Sequence, residues 1–240
     1  MTTLTYQERF KTIKGVFDEF TNRNLFELQS GGFFDELLSP LAVGKESNVF
    51  IAKKGNDKVI VKIYNIQNSN FKRMFDYIGK DPRYDFLKRQ RRQIILAWTQ
   101  REYKNLIKAE RAKISSPKPL GWKNNILVEE FIGNGEPALP LKDSYPKNAE
   151  RFFDLVIGDM RKLHDSGLIH GDLSSFNILN HQEKPCFIDF SQATLVKTPN
   201  SEELLRRDLN NIVRFFAKLG VKADFEKVLY KITQKKAEHG

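Results

Sequence analysis

The sequence predicts an α+β chain of two unequal lobes, a small β-rich lobe followed by a mostly helical one. Most short β-type runs rich in Val and Ile fall within residues 41–64 and 125–132, whereas helical periodicity dominates beyond residue 150. The turn cluster Gly133-Asn-Gly-Glu-Pro137 separates the two regimes. The expected organisation is a helical extension over 1–40, an N-lobe over 41–132 and a C-lobe over 133–240. A length of 240 residues fits two small lobes sharing a cleft.

Residues 5–30 are expected to be helical, because Phe10, Ile13, Val16, Phe17 and Phe20 follow helical spacing until Gly31-Gly32 interrupts it. From Leu41 the period shortens. Leu41-Ala-Val-Gly44, Asn48-Val-Phe-Ile-Ala52 and Lys58-Val-Ile-Val-Lys-Ile-Tyr64 read as antiparallel strands, joined by turns such as Lys54-Gly55-Asn56-Asp57. Residues 68–90 show no apolar period and many charges, so an inserted flexible basic loop is expected over about 66–92. Helix returns over 93–112, ends at Pro117 and Pro119, and is followed by a strand at 125–132. In the second lobe Phe152, Phe153, Val156, Ile157, Met160 and Leu163 trace one helix face, closed by Gly167. Short strands near 177–179 and 186–189 precede helices at 201–219 and 223–237.

Composition narrows the class. Hydrophobic residues make up 40% and charged residues 29%, a balance that argues against wholesale disorder. No run approaches the roughly 18 apolar residues of a membrane-spanning helix, and the first ten residues lack a secretory pattern. The single cysteine, Cys186, excludes an intrachain disulfide or a Cys-rich zinc site and fits a reducing, cytoplasmic setting. The net charge of +10 is local: residues 71–113 hold 13 Lys/Arg against 5 Asp/Glu. Such a segment, interleaved with Phe71, Phe75, Tyr77, Tyr84, Phe86 and Trp98, suits an anionic partner such as RNA.

The chemistry-bearing residues lie elsewhere. His170-Gly-Asp172 is followed by Asn177 and then by Ile188-Asp189-Phe-Ser. Phosphoryl transfer needs a carboxylate to orient or deprotonate the attacking hydroxyl, and hard oxygen ligands for a divalent cation. Asp-x4-Asn and an aspartate ending an apolar strand supply these groups at the protein-kinase spacing. Upstream, Ala42-Val-Gly44-Lys-Glu-Ser47-Asn-Val49 overlays a glycine-rich phosphate loop with one of its three glycines. Thirteen residues later Val59-Ile-Val-Lys62 places a lysine where that signature holds the phosphates. Such a lysine needs a helix-borne glutamate; Glu102 is the choice, with Glu110 on the same helix a rival.

These segments, with Phe71-Lys-Arg-Met, Asp81-Pro-Arg-Tyr and residues 98–106, resemble the RIO kinases, atypical serine/threonine protein kinases of ribosome assembly. The resemblance runs from about Phe17 to Phe225 and favours the type-one branch. It implies a bilobal protein-kinase-like fold with a reduced C-lobe lacking an activation loop. It also implies Asp172 as catalytic base, Asn177 and Asp189 as metal ligands, and Lys62 with Glu102 as the phosphate-holding pair. Gly44, Lys45, Glu46, Ser47 and Val49 would form the phosphate loop, and Glu130, Phe131 and Ile132 the hinge against adenine. The implied ligands are ATP and Mg²⁺, with Mn²⁺ as a substitute. The implied partner is a small-ribosomal-subunit precursor with its rRNA; a membrane is not expected. Phosphorylation of Asp189 and ATPase activity would follow.

Several positions depart from ordinary kinases. Gly171 replaces the arginine after the histidine, Ser174 replaces a lysine against the γ-phosphate, and no Ala-Pro-Glu motif follows Asp189. Glu129 stands where the family has an apolar residue behind adenine, facing either the pocket or away along the strand. Cys186 reads as a buried strand residue, His164 and His181 as surface or cap residues, and His170 as a backbone partner. Asp208 reads as a brace for the catalytic loop or a surface helix charge. Two alternatives compete: an aminoglycoside- or choline-type phosphotransferase, which shares His-Gly-Asp-x4-Asn, and a non-catalytic rRNA-binding factor.

Overall fold

The computed structural model describes residues 17–67 and 69–234, and its first described helix, α1 (Glu19–Ser30), begins where Asp18 accepts the Thr21 N–H at 2.7 Å. That cap puts Phe17 outside the helix, while Phe10, Ile13 and Val16 fall outside the described residues. Strands β1 (Glu36–Val43), β2 (Ser47–Lys54) and β3 (Asp57–Tyr64) follow. Next come α2 (Phe71–Ile78), a 3₁₀ turn at Pro82–Tyr84, α3 (Arg91–Arg111), β4 (Pro119–Lys123) and β5 (Ile126–Glu130). The strands form one antiparallel sheet in the order β1-β2-β3-β5-β4.

Strand alternation divides this sheet into two faces. Val59, Val61 and Ile63 of β3, with Ile126 and Val128 of β5, pack under Leu25 and Leu28 of α1. The residues between them, Ile60 and Lys62, therefore turn toward the other lobe.

Three expectations are corrected in this lobe. The first strand starts at Glu36 rather than Leu41; Pro40 conceals it, and is accommodated on an edge strand between two register shifts. The turn-forming reading of Pro117 and Pro119 hid β4, another edge strand, where a proline sacrifices no interior ladder bond. The stretch expected to be a loop without regular structure contains α2, capped by Asn70, and the 3₁₀ turn. Phe71, Met74, Phe75 and Ile78 do hold a helical period, diluted by Lys72, Arg73 and Asp76. Met74 and Ile78 pack with Tyr64, Tyr84, Ile94, Ile95 and Trp98 in a separate core that fixes α2 against α3.

The second lobe contains β6 (Gly133–Asn134), β7 (Glu136–Pro137), β8 (Leu139–Pro140), α4 (Ala149–Asp165) and β9 (Leu168–Ile169). It continues with β10 (Ile178–His181), β11 (Lys184–Phe187), a 3₁₀ turn at Phe190–Gln192 and β12 (Thr194–Leu195). It closes with α5 (Ser201–Ala217) and α6 (Phe225–Thr233). The expected end of the last helix at 235–237 lies outside the described residues. Phe152, Val156 and Ile157 of α4 meet Leu209, Ile212 and Phe216 of α5 in the main core. The β10–β11 hairpin rises from that core and carries the segments bearing Asn177 and Asp189.

Candidate active site

Lys62 projects from the cleft face of β3 and is nearly buried. Its Nζ lies 2.8 Å from Glu102 Oε1 on α3 and 2.9 Å from Asp189 Oδ1 beyond β11. Tyr64, two residues along the same strand face, donates its hydroxyl to the other Glu102 oxygen. The rival Glu110 is exposed on α3. Burial alone would lower the Lys62 pKa, but Asp189 and Glu102 override it and keep the ammonium charged. Burial likewise opposes ionisation of Asp189, and Lys62 holds its carboxyl well below the usual range. An uncompensated buried ammonium would cost several kcal/mol, so the lysine and its two carboxylates stand as one unit.

The loop before β10 is held from below. Asp208 on α5 accepts the Gly171 N–H at 2.7 Å and the Leu173 N–H at 2.9 Å, the bracing role rather than the surface one. His170 Nε2 meets the Ile188 carbonyl at 3.1 Å, as expected of a backbone partner. Gly171 has φ +76°, and a Cβ there would lie 2.8 Å from the Gln192 carbonyl, so an arginine cannot occupy this backbone. Arg207 donates to the Gly171 carbonyl. Asn177 Nδ2 donates to the Asp172 carbonyl at 2.8 Å, and Gln192 Nε2 to Asp172 Oδ2 at 2.9 Å. Asp189 itself adopts the left-handed conformation, φ 61°, at the start of the 3₁₀ turn. That conformation costs a non-glycine residue about 1–2 kcal/mol and concentrates at functional positions.

Burial pushes Asp208 up to about 7 against the pull of its two backbone N–H bonds. Because the folded value exceeds the unfolded one near pH 4, the folded state holds the extra proton between about pH 4 and pH 7. Stability from this group therefore falls as pH rises through that window and is level above it. Asp208→Asn should flatten that slope. Asp208→Ala leaves two buried N–H groups without an acceptor, at about 1–3 kcal/mol each. Thermal unfolding followed against pH checks both.

Between the lobes lies a cleft of about 330 Å³, bordered by Gly44, Ser47, Val49, Lys62, Asn177 and Asp189. Glu130 and Ile132 also border it, and the Glu130 carboxylate accepts the Lys118 N–H. Lys45 and Glu46 do not. Lys45 is exposed at the tip of the β1–β2 turn, and Asn65 Nδ2 donates to its carbonyl while the Asn65 N–H donates to that of Glu46. Gly44 closes the turn by donating to the Ser47 carbonyl at 3.0 Å. Glu129 faces the cleft, not away from it.

Sequence reasoning missed Tyr64, Asn65, Gln192 and Arg207, whose partners are distant in the chain. It also missed a buried polar group behind the site. Asp81, after α2, binds Arg83 and the fully buried Arg101 of α3. Arg101 and Asn105 in turn donate to the carbonyls of Ser191, Phe190 and Ala193, the turn that follows Asp189. A signal existed: Arg101 lies at i+3 from Trp98 and i−4 from Asn105, on the buried side of α3.

The fold and the assembled lysine, glutamate, asparagine and aspartates define a protein-kinase-like class. Comparison with known proteins narrows it. The RIO domain family model, RIO1, matches residues 48–228. The RIO-type serine/threonine-protein kinase Rio1 of Haloferax volcanii is 38% identical over 97% of this chain and 81% of its own. Its namesake in Methanocaldococcus jannaschii is 39% identical with the same coverage. The human serine/threonine-protein kinase RIO1 is 31% identical, and the match covers 38% of its length. A solved Rio2 kinase–ADP/Mg²⁺–phosphoaspartate complex from Chaetomium thermophilum superposes with a TM-score of 0.69 at 20% identity. That match covers 88% of this chain and 66% of the solved one, and shows the fold. The chain belongs to the RIO family of atypical serine/threonine protein kinases.

Proposed function

We propose that the chain transfers the γ-phosphoryl group of ATP to serine or threonine hydroxyls with Mg²⁺, phosphorylates itself and hydrolyses ATP. The observation that carries this reading is the Lys62 ammonium held between Glu102 and Asp189, one from each lobe. A fixed cation at that depth suits phosphate oxygens, and Ser47 at the start of β2 offers a hydroxyl beside backbone N–H groups. Glu130 and Ile132 would present backbone to the base.

The donor set fits Mg²⁺, or Mn²⁺. Asn177 spends its amide N–H on the Asp172 carbonyl, which leaves its oxygen free to coordinate, and Asp189 is ionised. Among the described residues no group of three or more His, Cys, Asp or Glu could hold a metal alone. Mg²⁺ of this kind is held by one or two protein oxygens together with substrate phosphates. When bound, the ion neutralises the charge of the phosphate oxygens. Asp172 has one oxygen held by Gln192 and the other available to take the hydroxyl proton. Its carboxyl is raised above the usual value by burial and then by Asp189, which strengthens it as a base. Alternatively an Asp189 oxygen attacks the γ-phosphorus as the bond to ADP breaks, and water later cleaves the acyl phosphate. The phosphoaspartate in the Rio2 complex supports that route.

Incubation with γ-labelled ATP and Mg²⁺ tests the reading. Wild type should label itself and release phosphate, whereas Asp172→Ala and Asp189→Ala should do neither. Equal signals from all three would overturn it.

A ribosomal-subunit precursor and its rRNA are the proposed partner, favoured by the exposed Lys72, Arg73, Lys80 and Lys88 on and after α2. Arg83 and Arg101 are committed to Asp81, and Arg89, Arg91 and Arg92 lie over the Phe75, Phe71 and Phe20 rings. Replacing the three arginines would thus disturb packing as well as charge. RNA affinity should fall steeply with salt.

A further inference from the structure

The cleft holds a third carboxyl group that phosphate handling does not use. In the β3–β5 ladder Leu127 pairs with Lys62 and Glu129 with Ile60, while Val128 between them enters the core under α1. Alternation therefore fixes Glu129 on the cleft side, with Val49 and Ile132 on the same wall-lined space. Its neighbour Glu130 takes the Lys118 N–H, and Lys62 is already satisfied by Glu102 and Asp189. The Glu129 carboxyl makes no hydrogen bond or ion pair with the side chain or backbone of another described residue. A carboxyl group in a largely apolar pocket without a partner is costly unless a ligand completes it.

We propose that Glu129 is a specificity residue for the nucleobase, pairing with the purine edge that carries a 6-amino group and N7 and disfavouring a 6-oxo purine. The inference rests on the reading that this cleft takes ATP, and adds which group reads the base. An ionised carboxylate accepts from the 6-amino N–H and repels a 6-oxo group. A protonated carboxyl accepts from the 6-amino group through its carbonyl and donates its O–H to N7, two matched bonds. Guanine offers the 6-oxo group and N7, both acceptors, so the protonated acid satisfies only one of them and the ionised one neither. Adenine is preferred in both states. Burial and the facing Glu102 push Glu129 up to about 8, against the pull of Lys62 and with a further push from Asp189. That upward shift favours the two-bond form.

Dissociation constants for ADP and GDP, measured by calorimetry on wild type, Glu129→Met and Glu129→Gln, test this. Glutamine keeps one acceptor and one N–H donor, so it should retain the adenine preference. Methionine should narrow the GDP-to-ADP ratio by about tenfold or more. ADP lacking N7 should bind wild type several-fold more weakly than ADP, and Glu129→Met equally well. Melting curves confirm that both variants fold. An unchanged ratio in Glu129→Met overturns the inference and leaves the nucleotide reading of the cleft standing. If neither nucleotide binds wild type, both readings fall.

Discussion

Asp172→Asn should slow phosphoryl transfer by about 10²- to 10⁴-fold while changing ADP affinity little. Asparagine preserves the shape of the side chain and an oxygen for Gln192 Nε2, so the loop keeps its geometry. What disappears is the acceptor for the hydroxyl proton. The backbone of residue 172 still accepts the Asn177 amide, so a metal ligand is not displaced. Asp172 does not border the cleft around Lys62 and Ile132, which is why binding should survive. Single-turnover rates and calorimetric affinities, taken together, separate the two effects. A rate within tenfold of wild type would remove Asp172 from the role of base.

Asp81→Ala should cost about 3–5 kcal/mol of stability, the largest structural effect expected in the chain. The change leaves Arg101, with no exposed surface, beside Arg83 and without a carboxylate. Burial would raise the Asp81 carboxyl, but Arg83 and then Arg101 hold it below its usual value. Its folded value lies under the unfolded one. The stability it adds is present above the unfolded value and is lost as pH falls through the folded one. Urea unfolding at neutral and acidic pH should therefore show a large gap between wild type and Asp81→Ala at pH 7 that shrinks in acid. The same variant should loosen the 190–193 turn, because Arg101 and Asn105 hold its carbonyls. Activity should fall even at temperatures where the variant remains folded.

Local motifs were legible because their geometry is local. Asp172 and Asn177 sit five residues apart on one loop, and Lys62 follows its turn by a fixed strand register. Glu110 stays a rival to Glu102 in the sequence, since nothing in the helix period shows which turn of α3 meets β3. Asp81 and Arg101 enter only the charge balance of residues 71–113, because charge density alone does not reveal a partner 20 residues away. Helix α2 was lost to the same density of charges, and β4 to its proline. Whether Glu129 faced the cleft depended on which residue of β5 stands opposite Lys62, a fact that belongs to the sheet.

The most direct measurement is a single turnover with γ-labelled ATP and Mg²⁺, following the label from nucleotide to protein to free phosphate. Wild type should pass label through a hydroxylamine-sensitive bond at Asp189 or onto serine and threonine, and Asp189→Asn should abolish all transfer. Label that stays on the nucleotide in wild type, or transfer undiminished in Asp189→Asn, would contradict a phosphoryl-transfer centre built on Lys62, Asp172 and Asp189.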